Sequence, residues 1–169
     1  MSNKPFWLIV LLLFLFSSCR YQAGSGSQAT GTLFAKVVGN DTLLPQASGI
    51  VSRSIREEFL RKGEFTLVRS AEDADFLLEV NLSQFDKTPE VFRAEDTLLA
   101  AGFDLRLGAS VDFYSSRRKT YLLENHFVQA NASSLRENRT NQARIRQPSM
   151  ALARELGLKI ALTVSNQSR

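Results

Sequence analysis

The stretch Phe103-Asp104-Leu105-Arg106-Leu107-Gly108-Ala109-Ser110-Val111-Asp112-Phe113 decides the fold class. Phe103, Leu105, Leu107, Ala109, Val111 and Phe113 alternate with Asp104, Arg106, Ser110 and Asp112 over these eleven residues. Successive side chains of an extended chain point to opposite faces, so this period of two marks a strand with one buried and one wet face. Upstream, Phe76, Leu78, Val80 and Leu82 repeat the pattern. The connection Lys87 to Ala100 is long for a hairpin and holds Pro89, which predicts a projecting loop. Downstream, Ser115-Ser116-Arg117-Arg118-Lys119 reads as a turn into a third strand, Tyr121 to Ala132, with weaker alternation.

The flanks supply the second layer. Thr32 to Val38 (TLFAKVV) is apolar on both faces except at Lys36, as an inner strand is, and Gly39-Asn40-Asp41 breaks it. From about Pro45 to Lys62 the period turns helical. Val51, Ile55 and Phe59 recur every four residues, Ser52, Arg53, Arg56, Glu57 and Arg61 fill the other side, and Gly63 supplies a stop. Phe65 to Val68 is a short strand and Ala71 to Asp75 a polar connection. Arg136 to Gln147 is polar and positive. A closing helix, about Pro148 to Val164, carries the stripe Leu152, Leu156, Ile160 and Val164. Pro148 suits its first turn, whereas in a longer helix starting near Gln142 it would introduce a kink. The order β-α-β-β-β-β-α, with one apolar stripe per helix and one apolar sheet face, predicts an α+β fold. It is a two-layer α/β sandwich with both helices on one face of a mainly antiparallel, mixed sheet.

The amino terminus directs where this domain works. One basic residue, Lys4, precedes eleven apolar residues, Phe6 to Phe16, and Ser17-Ser18-Cys19 follows. Such a run rises about 16 Å as a helix against the ~30 Å of a bilayer core, so it reads as a secretory signal rather than a span. Cys19 at the exit resembles the lipobox of bacterial lipoproteins. That resemblance implies cleavage before Cys19, acylation of its thiol and amino group, and membrane attachment through lipid alone. Residues 1–18 are then a signal peptide, 19–31 a lipidated Gly/Ser-rich tether, and 32–169 a single domain. Arg20 stands where an Asp would retain a lipoprotein at the inner membrane, so outer-membrane delivery is expected. With the only cysteine acylated, no disulfide can staple the domain, and packing must hold it.

Chemistry is sparse. His126 is the only histidine, and no phosphate loop, nucleophile elbow or spaced set of metal ligands accompanies it. Glu72, Asp73 and Asp75 read as a solvated turn and a helix or strand cap. No catalytic residue, metal or cofactor is expected beyond the covalent lipid, and the protein is not expected to be an enzyme. Loss of Lys4 with the signal leaves a mature charge of +3, a mild excess that does not point to nucleic acid in an exported protein. The cations cluster late, at Arg117, Arg118, Lys119, Arg136, Arg139, Arg144 and Arg146.

The mature chain as a whole resembles the LPS-assembly lipoprotein LptE family. Cys19-Arg20-Tyr21, Val37-Val38-Gly39-Asn40-Asp41-Thr42, the helix Ile50 to Lys62, Phe65-Thr66-Leu67-Val68 and the run Ala71 to Val80 (AEDADFLLEV) carry the resemblance. It implies an outer-membrane lipoprotein that partners the β-barrel LptD, sits largely within its lumen and assists delivery of lipopolysaccharide to the cell surface. Activation of another envelope complex, such as a peptidoglycan synthase, is the competing expectation. It needs a long tether, and only about eleven residues separate Cys19 from the first strand. Arg117, Arg118 and Lys119 at the predicted hairpin tip are the candidate contacts to lipopolysaccharide phosphates or to acidic groups of the barrel.

Overall fold

A computed structural model describes residues 29–92, 100–135 and 146–168. Its elements are β1 (Gly31–Ala35), β2 (Gly39–Asn40), α1 (Ala47–Lys62), β3 (Phe65–Leu67), β4 (Phe76–Phe92), β5 (Ala100–Ser115), β6 (Thr120–Leu135) and α2 (Arg146–Gln167). The strands form one sheet in the order β3-β1-β4-β5-β6, with β2 paired to β4. β1 runs parallel to β3 and β4, and β2 parallel to β4, while β4–β5 and β5–β6 are antiparallel. Both helices lie against one face, which completes the two-layer α+β sandwich.

The predicted periods place the core. Leu105, Leu107, Ala109, Val111 and Phe113 on β5 are fully buried, as are Val51 and Phe59 on α1 and Leu152, Leu156, Ile160 and Val164 on α2. At the end of the sheet where β1 enters, Phe65 packs edge-on against Phe59, Phe76 and Phe113, with Phe59 5.2 Å away between ring centroids. Phe76 and Phe113 stack at 5.4 Å, a geometry that aromatic rings favour.

The helices approach closely at one point. A Cβ on Gly157 would come within 2.6 Å of the Ser54 Cβ and 3.0 Å of the Val51 carbonyl oxygen, so α2 can meet α1 there only without a side chain. Gly63 ends α1 in the left-handed region at φ 66°, and its N–H donates to the Phe59 carbonyl at 3.0 Å. Pro148 is the third residue of α2, where a missing N–H costs the helix no bond.

Three expectations need correction. The run Thr32 to Val38 is not one strand, because β1 ends at Ala35 and Val37 is 74% exposed. Gly39-Asn40 does not merely break the chain, since it re-enters the sheet beside Asn81 and Leu82 of β4. Lys87 to Phe92 is strand rather than loop, with Pro89 opposite Phe103. Beyond Leu82 the other edge of β4 has no neighbour among the described residues, and proline is tolerated at such an edge.

The continuation of β4 depends on a bulge. Leu82 faces Ala109 and Gln84 faces Gly108, which leaves Ser83 unpaired and shifts the inward side from even to odd positions. Phe85 therefore joins the core side opposite Leu107. β6 bulges at Asn125, which sits at φ 46° and donates its N–H to Asp112 Oδ1 at 2.7 Å. A second shift leaves Leu122 unpaired between Leu123 and Tyr121, and these irregularities account for the weak alternation of β6 and for its absence around Ser83.

Candidate functional site

The end of the sheet where β1 enters gathers three segments that are distant in sequence. Asp75, just before β4, is their common partner. Its Oδ2 accepts the Thr32 N–H at 2.9 Å and lies 3.1 Å from the Thr32 hydroxyl. That hydroxyl accepts the Asp75 N–H at 2.9 Å. On its other side, Asp75 Oδ1 accepts the Arg117 Nε–H at 2.6 Å, and its backbone carbonyl accepts the Ser116 N–H at 2.8 Å. One carboxylate thus ties the start of β1 and the β3–β4 connection to the β5–β6 turn. Asp75 belongs to the acidic group expected to be a solvated turn and cap. Its capping role is present and extends further, since it also fixes the hairpin.

The Thr32 backbone N–H is the main influence holding the Asp75 carboxyl below the usual carboxylate range; partial burial opposes this, and Arg117 adds to it. A folded-state value below the unfolded one contributes stability that is fully present above the unfolded value near pH ~3.9 and lost as pH falls through the folded one. Asp75→Asn should therefore be less stable than the parent at pH 7, by about 1–2 kcal/mol for charged hydrogen bonds of this kind. The difference should narrow as denaturant midpoints are measured at pH values falling below ~3.9. A gap that stays unchanged as the carboxylate protonates would show that its charge is not the cause.

The three candidate cations of the tip divide. The turn occupies Ser116 to Lys119, with Lys119 left-handed at φ 53° and the Ser115 hydroxyl accepting the Arg118 N–H at 3.3 Å. Arg117 is committed to Asp75. The side chains of Arg118 and Lys119 are exposed, and no ion pair reaches either among the described residues. Folding explains the first cation and not the other two. Cys19, Arg136, Arg139 and Arg144 lie outside the described residues.

The sheet face turned away from the helices is polar along the far halves of β4, β5 and β6. Gln84 donates to Asp86 at 2.6 Å, Arg106 pairs with Asp104 at 3.0 Å, and Gln129 donates to Asn131 at 3.0 Å. Each pair runs along its own strand between residues two apart, as side chains on one face do. His126 is exposed on β6 opposite Val111, and among the described residues no group of His, Cys, Asp and Glu could hold a metal ion.

The helix layer carries an open groove of about 540 Å³ between Ser54, Glu58 and Arg61 on α1 and Arg154, Leu158 and Leu162 on α2. Glu58 is buried there, and the Arg61 guanidinium meets it through both carboxylate oxygens at 2.6 and 3.0 Å. The Arg61 hydrogen bonds hold the Glu58 carboxyl below its usual range against the opposing effect of burial. The buried charge is thereby satisfied within α1.

The described residues thus present two exposed cations at the tip and polar ladders along one sheet face. The fold has solved relatives. The chain is similar to the hypothetical protein CT253 from Chlamydia trachomatis, with a TM-score of 0.60 and 14% identity over 83% of this chain and 98% of that one. It is similar to the uncharacterized lipoprotein B from Nitrosomonas europaea, with a TM-score of 0.59 and 9% identity over 82% of this chain and 87% of that one. A minor lipoprotein from Acinetobacter baumannii follows the same fold, with a TM-score of 0.51 and 11% identity over 82% of this chain and 93% of that one. At such identities the likeness concerns the fold. No protein-family model matches the sequence, and no curated protein matches it.

Proposed function

We propose that this chain is a non-enzymatic lipoprotein of the bacterial outer membrane, anchored through Cys19, that partners an LptD-type β-barrel and assists lipopolysaccharide delivery. One observation carries the reading: the three-stranded arm at the far end of β4, β5 and β6. The strands run 16 or 17 residues, about 55 Å, whereas the 22 residues of α2 rise only about 33 Å. The arm therefore outreaches the helix layer. On the face turned from the helices it presents Gln84, Asp86, Asp104, Arg106, Gln129 and Asn131. A narrow, polar, hydrogen-bonded ribbon suits the water-filled lumen of an outer-membrane barrel, whose interior wall is polar.

The position of the arm is compatible with the same reading. β1 enters the sheet at the opposite end, so a lipid at Cys19 tethers that end and leaves the arm free to engage a barrel. The named lipoproteins among the similar folds also support an envelope role. Affinity purification of the tagged, acylated protein from envelope extracts should recover an outer-membrane β-barrel. Depletion should lower the amount of assembled barrel and make the outer membrane permeable to large hydrophobic antibiotics. Recovery of peptidoglycan synthases with no barrel would replace this function by the competing one.

A further inference from the structure

Besides the single exposed Phe127, the polar sheet face carries an apolar row beside the basic tip. The register aligns Phe34 of β1 with Leu77 of β4, Leu77 with Tyr114 of β5, and Tyr114 with Tyr121 of β6. Their chain neighbours Leu33, Leu78 and Phe113 point into the core, so the row lies on the face without helices. It crosses four strands, about 15 Å. Tyr121 is 53% exposed, and the Tyr114 and Tyr121 rings meet edge to face at 5.1 Å. Scattered apolar side chains on a surface need no explanation, but a contiguous row across four strands does. The next row up, with Lys36 paired to Glu79 at 2.5 Å and Asp112 opposite Glu79, is already charged.

We propose that this edge, formed by Phe34, Leu77, Tyr114 and Tyr121 with Arg118 and Lys119, docks the domain onto the anionic phospholipid leaflet that holds the Cys19 lipid. The proposal rests on the anchored-lipoprotein reading above and names the surface that the anchored end meets. Three observations select a bilayer. The eleven residues 20–30 between Cys19 and Gly31 reach about 40 Å at full extension, and Gly31 opens β1 at this same end of the sheet. The anchor therefore keeps this edge within about 40 Å of the headgroups, nearer to them on average than the far arm.

Charge is the second observation. Of the acids near the tip, Asp75 is paired with Arg117, whereas exposed Glu72, Asp73 and Glu124 have no ion pair among the described residues and partly offset the tip's positive charge. Arg118 and Lys119 stay available to lipid phosphates. Lys119 also holds a left-handed position that glycine would occupy at lower backbone cost, so folding does not ask for a cation there. The third is the side-chain type. Tyrosine, with an apolar ring and a polar tip, concentrates at the headgroup level of membranes.

Tryptophan fluorescence tests the docking, because the one tryptophan, Trp7, is removed with the signal peptide. Acylated Tyr121→Trp protein is reconstituted into vesicles of phosphatidylethanolamine with about one-third phosphatidylglycerol. A parallel set contains phosphatidylcholine alone, and a third contains phosphatidylcholine with lipopolysaccharide. Brominated acyl chains in the phosphatidylglycerol vesicles should quench the indole of the Tyr121→Trp variant, and a Leu162→Trp reporter on the helix layer should remain unquenched. Replacing Arg118 and Lys119 with Ser should weaken docking about twenty-five-fold, at roughly fivefold per cation, and salt should reproduce the loss. Anchored Tyr121→Trp protein whose indole is unquenched overturns the docking and leaves the anchor standing. Equal quenching in neutral vesicles, or quenching only with lipopolysaccharide, overturns the assignment to anionic phospholipid. Absence of acyl label on the parent protein overturns the anchored reading itself.

Discussion

Leu107→Asp should unfold the domain. Leu107 is fully buried at the centre of β5, with Phe85 opposite it on β4 and Ala130 on β6. Removing the leucine forfeits about 2–3 kcal/mol of burial, and placing an unpaired carboxylate in its position costs several kcal/mol more. No cation lies on the inner face of β5 to receive it, since Leu105, Ala109 and Val111 are its neighbours there. Domains of this size are stable by about 5–15 kcal/mol, and this one has no disulfide to limit its unfolded state. Circular dichroism should show loss of the cooperative thermal transition. Arg106→Ser, one residue away on the wet face, should change stability by no more than about 0.5–1 kcal/mol, because exposed ion pairs such as Arg106–Asp104 contribute little. An unchanged midpoint for Leu107→Asp would mean that the period of two had been assigned to the wrong face.

On the anchored-lipoprotein function proposed above, Cys19→Ala should abolish outer-membrane residence without touching the fold. If Cys19 accepts the lipid, its replacement removes both the acylation site and the cleavage site, leaving uncleaved precursor and no acyl label. Each buried methylene of an acyl chain contributes about 0.8 kcal/mol, and a single chain binds only marginally, so durable anchoring needs the multiple acylation that Cys19 would receive. The remaining apolar run, Phe6 to Phe16, is too short to span a bilayer stably and cannot substitute. The outer-membrane fraction should therefore lose essentially all of the protein, while its thermal midpoint stays within ~0.5 kcal/mol equivalent of the parent. Normal processing at another residue would overturn the anchor, and the function built on it with it.

The two variants act on separate levels. The first removes the sandwich and everything positioned by it. The second leaves the Asp75 latch, the arm and the basic tip intact but delivers them to the wrong place. Comparing barrel recovery in both backgrounds separates a loss of binding surface from a loss of location.

Local pattern sufficed for much of the architecture. The alternation from Phe103 to Phe113, the four-residue stripe through Val51, Ile55 and Phe59, the stop at Gly63 and the turn after Ser115 all appear where the sequence places them. The reason is that each depends on residues within a few positions of one another: the period of side chains along one element, or the backbone conformation of a single glycine. Folding into two layers then follows from having one apolar face per element.

Tertiary structure alone decided the rest. Gly39-Asn40 is strand because β4 offers it an edge at Asn81 and Leu82, and Pro89 is strand because among the described residues that edge has no partner farther along. Neither edge is visible in the local residues. Asp75 looks like one acid among three in sequence. It becomes the latch because the fold brings Thr32 and Arg117, each more than forty residues away, to its two oxygens. The same convergence separates Arg117 from Arg118 and Lys119, three adjacent cations that composition cannot tell apart. It also assembles Phe34, Leu77, Tyr114 and Tyr121 from four strands into one row. Periodicity specifies which side of a strand a residue faces, but only the pairing of strands specifies which residues of other strands lie beside it.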